Sequence, residues 1–536
     1  MGVTMLSVTY TASLFGVDAF MVAIECNTAR GLPSFEIVGL PDLAVKESKQ
    51  RIMTGAASAG LKIPDMEVTV NLAPADRRKE GSALDLGILA ALCRSCGIIP
   101  DSALLDKMCF IGELSFTGEV RRVRGALNMA LSAAAAGIRE IYVPEGNLIE
   151  ASAAAGNGVK IYGVSSAYAL VSHMRGECRI NPVVTPPDKI VGDMRAVYGD
   201  FSQIKGQARA RRAVEIAAAG GHNILLVGPP GSGKSMIAKR IPTILPEMTY
   251  AEAIETTKVH SASGLIDAEC GIIGHRPFRS PHHSMSMPAL VGGGTIPMPG
   301  EISLAHNGVL FLDEFPEFNK GALEALRAPL EDSTVTITRA AGRVTFPSAF
   351  MMVCAMNPCR CGYFGSRRGK CTCTPADVKH YLGKLSGPML DRIDIQVEMP
   401  ELDFAELSTA APSEPSAVIR LRVEAAREIS RRRFRAAGKE NYALMSNAKM
   451  DTDDIRMFCS LDDDCLKIME SSFKKMNLSA RAYDRILRVA RTIADLDYVA
   501  SGGELTDSVD AGGPIGKKHI MEAVQMRSLD KYWKNM

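Results

Sequence analysis

Eight consecutive residues, Gly228-Pro229-Pro230-Gly231-Ser232-Gly233-Lys234-Ser235, fit the pattern G-x-x-x-x-G-K-[ST] with no mismatch. Glycines at this spacing let backbone N–H groups converge on phosphate oxygens, and a helix opening just after them adds the positive end of its dipole. The chemistry that follows is the cradling of a nucleoside triphosphate. Lys234 is expected to reach the β- and γ-phosphates of ATP, and the Ser235 hydroxyl to ligate Mg²⁺. A chance glycine turn would give the same letters, so the context decides. Residues 223–227 are a short apolar run that reads as a buried strand, and residues 236–241 read as a helix that stops at Pro242.

A second chemical group lies downstream. Gly308-Val309-Leu310-Phe311-Leu312-Asp313-Glu314 is an apolar strand that ends in two carboxylates. Acid pairs are common, but one that closes a buried strand after a P-loop has a defined task. Asp313 is expected to hold Mg²⁺, and Glu314 to orient and deprotonate the attacking water. A third group is the set Cys359-Arg360-Cys361 and Cys371-Thr372-Cys373. Four thiolates satisfy a tetrahedral Zn²⁺, although C-x-C is tighter than the usual C-x₂-C, and reduced thiols or a redox pair stay open. The basic tip between them, Arg367-Arg368-Gly369-Lys370, is either a phosphate contact or a solvated turn.

These groups must be carried by a large chain. Its 536 residues suggest roughly three domains. Hydrophobic content of 46% and charged content of 23% are those of a soluble globular protein. No apolar run reaches the roughly 18 residues of a membrane span, and the N-terminus has no basic, cleavable leader. Thirteen cysteines scattered in such a chain point to a reducing cytoplasm. A net charge of only +2 means that any nucleic-acid contact comes from a local patch or pore.

The expected fold class is α/β, with domain boundaries at 1–172, a linker at 173–198, a motor core at 199–400 and a helical lid at 401–536. In the first domain, strands are expected at 6–14, 19–26, 66–72 and 141–144, the last with the look of a core edge. Helices are expected at 41–59, 84–93 and 127–136. Cys93-Arg94-Ser95-Cys96 follows an apolar helix and reads as buried thiols, not as a redox motif. Asn181-Pro182-Val183-Val184-Thr185-Pro186-Pro187 cannot continue a helix and reads as an extended connector. In the lid, residues 418–437 form a long helix whose Arg431, Arg432, Arg433 and Arg435 read as a solvated basic face or a nucleic-acid contact. Residues 502–516 read as a mobile Gly-rich acidic loop and residues 517–529 as a final helix.

Two stretches of the first domain, Lys79-Glu80-Gly81-Ser82-Ala83-Leu84-Asp85-Leu86 and Gly112-Glu113-Leu114-Ser115-Phe116-Thr117-Gly118-Glu119-Val120, resemble the Lon protease domain, which uses a Ser–Lys dyad. Ala83 stands where such proteases carry the serine, and Met129 where they carry the lysine. Neither can do that chemistry, so a scaffold or binding domain is expected and not a protease.

Further motifs widen the resemblance. Phe278-Arg279-Ser280-Pro281-His282-His283, Leu290-Val291-Gly292-Gly293-Gly294, Pro299-Gly300-Glu301-Ile302-Ser303-Leu304-Ala305-His306 and Val70-Asn71-Leu72-Ala73-Pro74-Ala75-Asp76 look like the magnesium-chelatase-like AAA+ group, specifically its ComM/YifB family. The likeness runs from about residue 6 to residue 530, with Gly87 standing where a proline is expected. It implies a ring, usually of six copies, that turns over ATP at subunit interfaces. It makes Asn357 the sensor-1 residue beside the γ-phosphate. Arg392, in Leu385-Ser386-Gly387-Pro388-Met389-Leu390-Asp391-Arg392, becomes an arginine finger for a neighbour's ATP. Arg481, capped by Ser479, becomes the sensor-2 arginine reaching ATP from the lid, with a surface or packing role as the alternative. ComM is a DNA branch-migration helicase that helps integrate single strands in natural transformation. Magnesium-chelatase ATPase subunits instead drive metal insertion into a porphyrin with a partner subunit. Two loops complete the expectation. His282 and His283, with His275 and His306, read as an insert near the pore where histidine and Arg279 contact nucleic acid, with a metal site the weaker reading. Residues 332–337 and 343–346 read as a hairpin of the kind that enters the pore in related motors.

Overall fold

The computed structural model describes residues 5–100, 105–186, 197–269, 271–295, 297–339, 342–366, 370–401, 413–440, 445–476, 478–527 and 529. The tip Arg367-Arg368-Gly369 and residues 187–196 of the expected linker therefore lie outside the described residues.

The first domain is built on two long antiparallel strands, Met5–Phe15 and Asp18–Ala29, joined by a turn at Gly16 with φ 70°. Period-two alternation sends Val22, Ile24 and Cys26 to one apolar layer and Ala19 and Met21 to the other. A seven-stranded mixed sheet results, in the order Ser34–Val38, Glu67–Ala73, Asp18–Ala29, Met5–Phe15, Met108–Phe110, Glu140–Pro144, Lys160–Val164. The helix Asp85–Ser95 covers one face and Ala126–Ala135 the other.

Four local expectations are revised. The helix expected over 41–59 is two helices, Leu43–Lys46 and Ser48–Ser58, the first capped by the Asp42 carboxylate on the Val45 N–H at 2.8 Å. The strand Glu140–Pro144 is not the edge, because Lys160–Val164 pairs outside it. Part of the expected linker belongs to this domain, since Val183 exchanges backbone hydrogen bonds of 2.8 and 2.9 Å with Ile161. Gly87 lies within the helix, where a Cβ would stand 2.7 Å from Ile24 Cδ1, so close packing accounts for the missing side chain.

The motor is a five-stranded, all-parallel sheet in the order Phe278–Arg279, Val309–Leu312, Met351–Met356, Ile224–Val227, Ile395–Glu398. The helix Ala208–Gly220 leads into it, and Gly221 at φ 71° ends that helix three residues before the strand Ile224–Val227. The lid helices Ser416–Ala436, Thr452–Phe458, Asp463–Met476, Ala480–Ala500 and Lys517–Gln525 share one apolar core with this sheet.

The lid's basic face is not free. Arg433 is buried against Asp495, Arg432 reaches Glu428 and the Leu505 carbonyl, and Arg435 pairs with Asp507. The Gly-rich segment that supplies Leu505 and Asp507 is itself pinned, since Arg491 donates to the Gly512 and Gly513 carbonyls at 2.7 Å.

The expected pore hairpin, Thr334–Arg339 with Gly342–Pro347, is seated on the turn between the first domain's long strands. Val17 of that turn enters the motor's apolar core beside Val335, Val344 and Phe346. A Cβ on Gly16 would collide with the Val344 side chain, and Gly342 lies against the Phe15 ring. A second apolar contact joins Leu127 and Ala153 of the first domain to Met248, Ala253 and Ile272 of the motor.

Candidate functional site

The parallel register brings the chemistry to one end of the motor sheet. Val227 lies opposite Met356, and Leu312 opposite Cys354, so the P-loop, Asn357 and the pair Asp313 and Glu314 all leave the carboxyl ends of adjacent strands. Gly228 and Gly233 show why glycine is required. A Cβ on Gly228 would run into the Met399 carbonyl, and Gly233 has φ 92° where it caps the helix Lys234–Arg240.

Lys234 Nζ donates to the Gly228 carbonyl at 2.7 Å, to the Pro229 carbonyl at 2.9 Å and to Asn357 Oδ1 at 3.1 Å. The Ser235 hydroxyl donates to Asp313 Oδ2 at 2.8 Å. Adjacent oxygens around an octahedral Mg²⁺ stand about 2.9 Å apart for Mg–O bonds of about 2.05 Å, so this hard-oxygen pair fits such an ion. The Ser232 hydroxyl is buried in the same loop with no protein partner. Glu314 holds φ 51°, a left-handed conformation rare for glutamate and found where a site is under constraint.

Two expected site residues do not join this group. Asp394, two residues after Arg392, accepts from the Asn223 N–H at 3.1 Å at the amino end of the strand Ile224–Val227. Five residues at about 3.3 Å each separate that point from Gly228, so roughly 16 Å of strand lies between Arg392 and its own P-loop. Arg392 lines a cleft of roughly 860 Å³, where it donates to the Pro388 carbonyl at 2.7 Å and pairs with Glu331. Arg481 lines the same cleft, 3.6 Å from Asp391. The Ala480–Ala500 helix docks across the amino ends of the strands, through Arg485 with Asp394 and Thr492 with His222, so Arg481 stands at the end of the sheet opposite its own P-loop. Sequence reasoning also missed Asp394, which burial alone would make less acidic but which His222 and Arg485 hold well below the usual carboxylate range.

The four cysteines gather at one place in the structure. Their sulfurs all lie within 4.8 Å of one another, and Cys359, Cys361 and Cys371 are 3.3 to 3.8 Å apart. Tetrahedral Zn–S bonds of about 2.3 Å would place sulfurs about 3.8 Å apart. Backbone N–H groups of Tyr363 and Thr372 bring the Cys361 thiol down to about 5. Gly362 of this loop packs on the P-loop: a Cβ there would stand 2.7 Å from Pro230 Cδ. The histidines do not gather. Among the described residues the four cysteines are the one group of three or more metal-ligating side chains close enough to share an ion. Arg279 is committed to Glu301 through two bonds of 2.6 Å, which removes it as a nucleic-acid contact. His283 stands 3.0 Å from Glu314. Ala83 and Met129, the two positions that the sequence resemblance aligns with a protease dyad, belong to one apolar cluster.

Burial pushes the Lys234 ammonium down to about 8, with Asp313 opposing the shift. A bound triphosphate adds negative charge and raises it again. Binding strength tied to this charge is fully present below about pH 8 and is lost as pH rises through the raised value of the complex. We expect ATP affinity to be flat from pH 6.5 to 7.5 and to fall by up to about tenfold per unit above pH 8. Titration calorimetry at pH 8 should also record proton uptake on binding that the Lys234→Arg variant lacks.

Three family models cover most of the chain. Residues 200–407 match magnesium chelatase, subunit ChlI; residues 24–147 match subunit ChlI of Mg-chelatase; residues 413–527 match the ChlI C-terminal region. Among curated relatives, YifB of Escherichia coli strain K12 is 40% identical over 529 residues, 98% of each chain. Competence protein ComM of Haemophilus influenzae is 42% identical over 499 residues, 92% of this chain and 94% of that one. A weaker match, 26% over 173 residues, reaches the maternal DNA replication licensing factor mcm6 of Xenopus tropicalis and covers 32% of this chain and 17% of that one. With its P-loop, strand-end acid pair and parallel sheet on the page, the chain belongs to the magnesium-chelatase-like family of AAA+ ATPases, with ComM and YifB among its members.

Proposed function

We propose that this chain is the subunit of a cytoplasmic homo-oligomeric ring, a hexamer, that uses ATP to act on single-stranded or branched DNA as a branch-migration helicase of the ComM kind. The observation that carries the DNA reading is the 42% likeness to competence protein ComM along nearly the whole of both chains. On this reading residues 1–172 are a non-proteolytic Lon-like domain, 173–198 a linker, 199–400 the motor core and 401–536 the lid.

The ring reading rests on the two ends of the sheet. Lys234 holds the β- and γ-phosphates, Asn357 steadies Lys234, and Glu314 takes a proton from water as the water oxygen bonds to the γ-phosphorus. The bond from that phosphorus to the ADP oxygen breaks in the same displacement. Ser235 and Asp313 would hold Mg²⁺, which when bound neutralises charge on the phosphate oxygens. Arg392 and Arg481, about 16 Å away at the amino ends, serve the site of the next copy and stabilise its developing charge. A second reading, an ATPase subunit driving metal insertion with a partner, is favoured by the ChlI description of the family models.

Three experiments test these statements. Purified protein with ATP should move the branch point of a synthetic four-way junction, and Glu314→Gln should bind ATP but turn it over at least about a hundredfold more slowly. Absence of both strand exchange and DNA-stimulated hydrolysis would exclude the helicase and leave the chelatase reading. Mixing Arg392→Ala with Lys234→Ala subunits should restore hydrolysis that neither has alone, because only mixed rings pair an intact P-loop with an intact arginine. If labelled subunits exchange and hydrolysis stays at the level of the separate variants, Arg392 does not act on a neighbour. Finally, Cys359, Cys361, Cys371 and Cys373 should hold about one Zn²⁺ per chain. Elemental analysis of reduced, chelator-free protein that finds no zinc would remove the metal.

A further inference from the structure

The cysteine cluster meets the nucleotide site through its first pair. That pair follows the strand Met351–Met356 directly. Asn357, whose Oδ1 accepts from Lys234 Nζ at 3.1 Å, stands two residues before Cys359. Cys359 is fully buried in the same apolar core as Met356, and Cys361, Cys371 and Cys373 pack against that core. The turn that follows closes through the Gly362 N–H, which donates to the Cys359 carbonyl at 3.0 Å. Gly362 holds φ 87°, and a Cβ there would stand 2.7 Å from Pro230 Cδ and 3.9 Å from Asn357 Cγ. The backbone of one glycine therefore lies against both the P-loop and the partner of its lysine.

The second pair reaches Asn357 from another side. Cys373 is followed by Thr374, which caps the helix Pro375–Leu382: its hydroxyl accepts from the Asp377 N–H at 3.2 Å, and the Asp377 carboxylate accepts from the Thr374 N–H at 2.9 Å. That helix buries Val378 and Leu382 in the motor's core and brings the Tyr381 hydroxyl to the backbone N–H of Asn357. Lys384, just beyond it, lies over the Tyr381 ring at 5.6 Å and pairs with Glu317 at 2.8 Å. Asn357 is thus held between the Gly362 turn and this helix, and the four sulfurs are where those two segments meet. Bonds from all four sulfurs to one tetrahedral ion fix the spacing of the two segments. Without them nine residues of chain separate Cys361 from Cys371, and holding such a loop closed costs entropy.

We propose that Gly362 is a positioning residue that couples occupancy of the four-cysteine site to binding of ATP. While the sulfurs are held together, Gly362 backs Pro230 and keeps the P-loop in one conformation, and Asn357 stays beside Lys234. When the cysteine site opens, Gly362 withdraws and the turn at Pro230 loses its backing. Phosphate must then order the loop itself, which weakens binding. The coupling is reciprocal: ATP that fixes the P-loop tightens the hold on the metal by the same factor. The identity of the metal rests on the zinc site proposed above; the packing of Gly362 on Pro230 and Asn357 does not.

The test uses the full-length protein with Zn²⁺ as the probe metal. Stripping the metal with a chromogenic chelator should raise the Kd for MgATP by about five- to fiftyfold, and restoring Zn²⁺ should bring it back. Conversely, saturating MgATP should weaken zinc transfer to the chelator by the same factor. In Lys234→Ala, which keeps all four cysteines, MgATP should leave zinc transfer unchanged. Pro230→Ala removes the ring atoms that Gly362 meets, so it should keep its zinc and lose most of both effects. A metal site that only stabilised the fold would keep them. Thermal unfolding checks that the stripped protein is folded; if it is not, the zinc-transfer measurement, made on the loaded protein, decides. Equal ATP affinity with and without zinc in folded protein, or zinc transfer that ignores MgATP, overturns the coupling and leaves the zinc assignment standing. Protein that takes up no zinc fails the assignment itself, and the coupling falls with it; metal content tells the two failures apart.

Discussion

A parallel sheet has two chemically different ends, and the candidate nucleotide-site residues of this chain are distributed between them. The carboxyl ends of the strands present Lys234 bonded to Asn357, Ser235 bonded to Asp313, and Glu314, whose backbone N–H donates to Asp313. The amino ends present Arg392 and Arg481. Strand length, not side-chain choice, keeps them apart, and no rotamer of an arginine spans roughly 16 Å. The phosphate end is completed by its own sequence, whereas the arginine end has no phosphate of its own to meet. This separation is the physical reason that a single copy looks incomplete.

The phosphate end was legible in the sequence because its residues are contiguous motifs on buried strands. Gly228 to Ser235, Asp313 and Glu314 could each be placed from local pattern alone, and the four cysteines from spacing. What was not legible depended on which strands pair and which helices dock. The position of Arg481 follows from the lid helix lying across the amino ends, and nothing within that helix announces it. His283 was visible as part of a histidine pair, but its partner follows only from the parallel pairing of Phe278–Arg279 with Val309–Leu312. The basic face of the long lid helix was misread for the same reason. Its counter-charges, Asp495 and Asp507, are more than 60 positions away in the chain. The helix expected over residues 41–59 was read too simply because hydrophobic periodicity does not see the break at Glu47.

The first domain packs hydrocarbon at the two positions that the sequence resemblance aligns with a protease dyad. Ala83 and Met129 belong to one apolar cluster, so the core gains contact where polar atoms would need partners. The same domain drives Val17 into the motor's core and seats its turn on the hairpin Thr334–Arg339 with Gly342–Pro347. Strand residues 5–29 are thus continuous from the middle of one domain's sheet to the surface of the other. Tight van der Waals contact at Gly16 leaves no room for the hairpin to shift toward the first domain without moving those strands.

The buried charges at the amino ends bind the lid and the arginine loop into one body. Asp394 accepts from the Asn223 backbone, faces His222 at 3.6 Å and takes Arg485 of the lid at 2.9 Å, while Asn223 donates to the Arg392 carbonyl at 3.0 Å. His222 in turn reaches Thr492 of the same lid helix at 2.8 Å. Lifting the lid alone would take Arg485 away from the buried Asp394 and leave that carboxylate with only the Asn223 N–H and His222, a cost of about 3–5 kcal/mol for a broken buried pair. That exceeds what one contact at the lid's rim could offset. The lid therefore carries the Arg392 loop with it when it moves. A change that tilts the lid in one copy also displaces the groups presented at its arginine end, and the buried carboxylate of Asp394 is what makes the two inseparable.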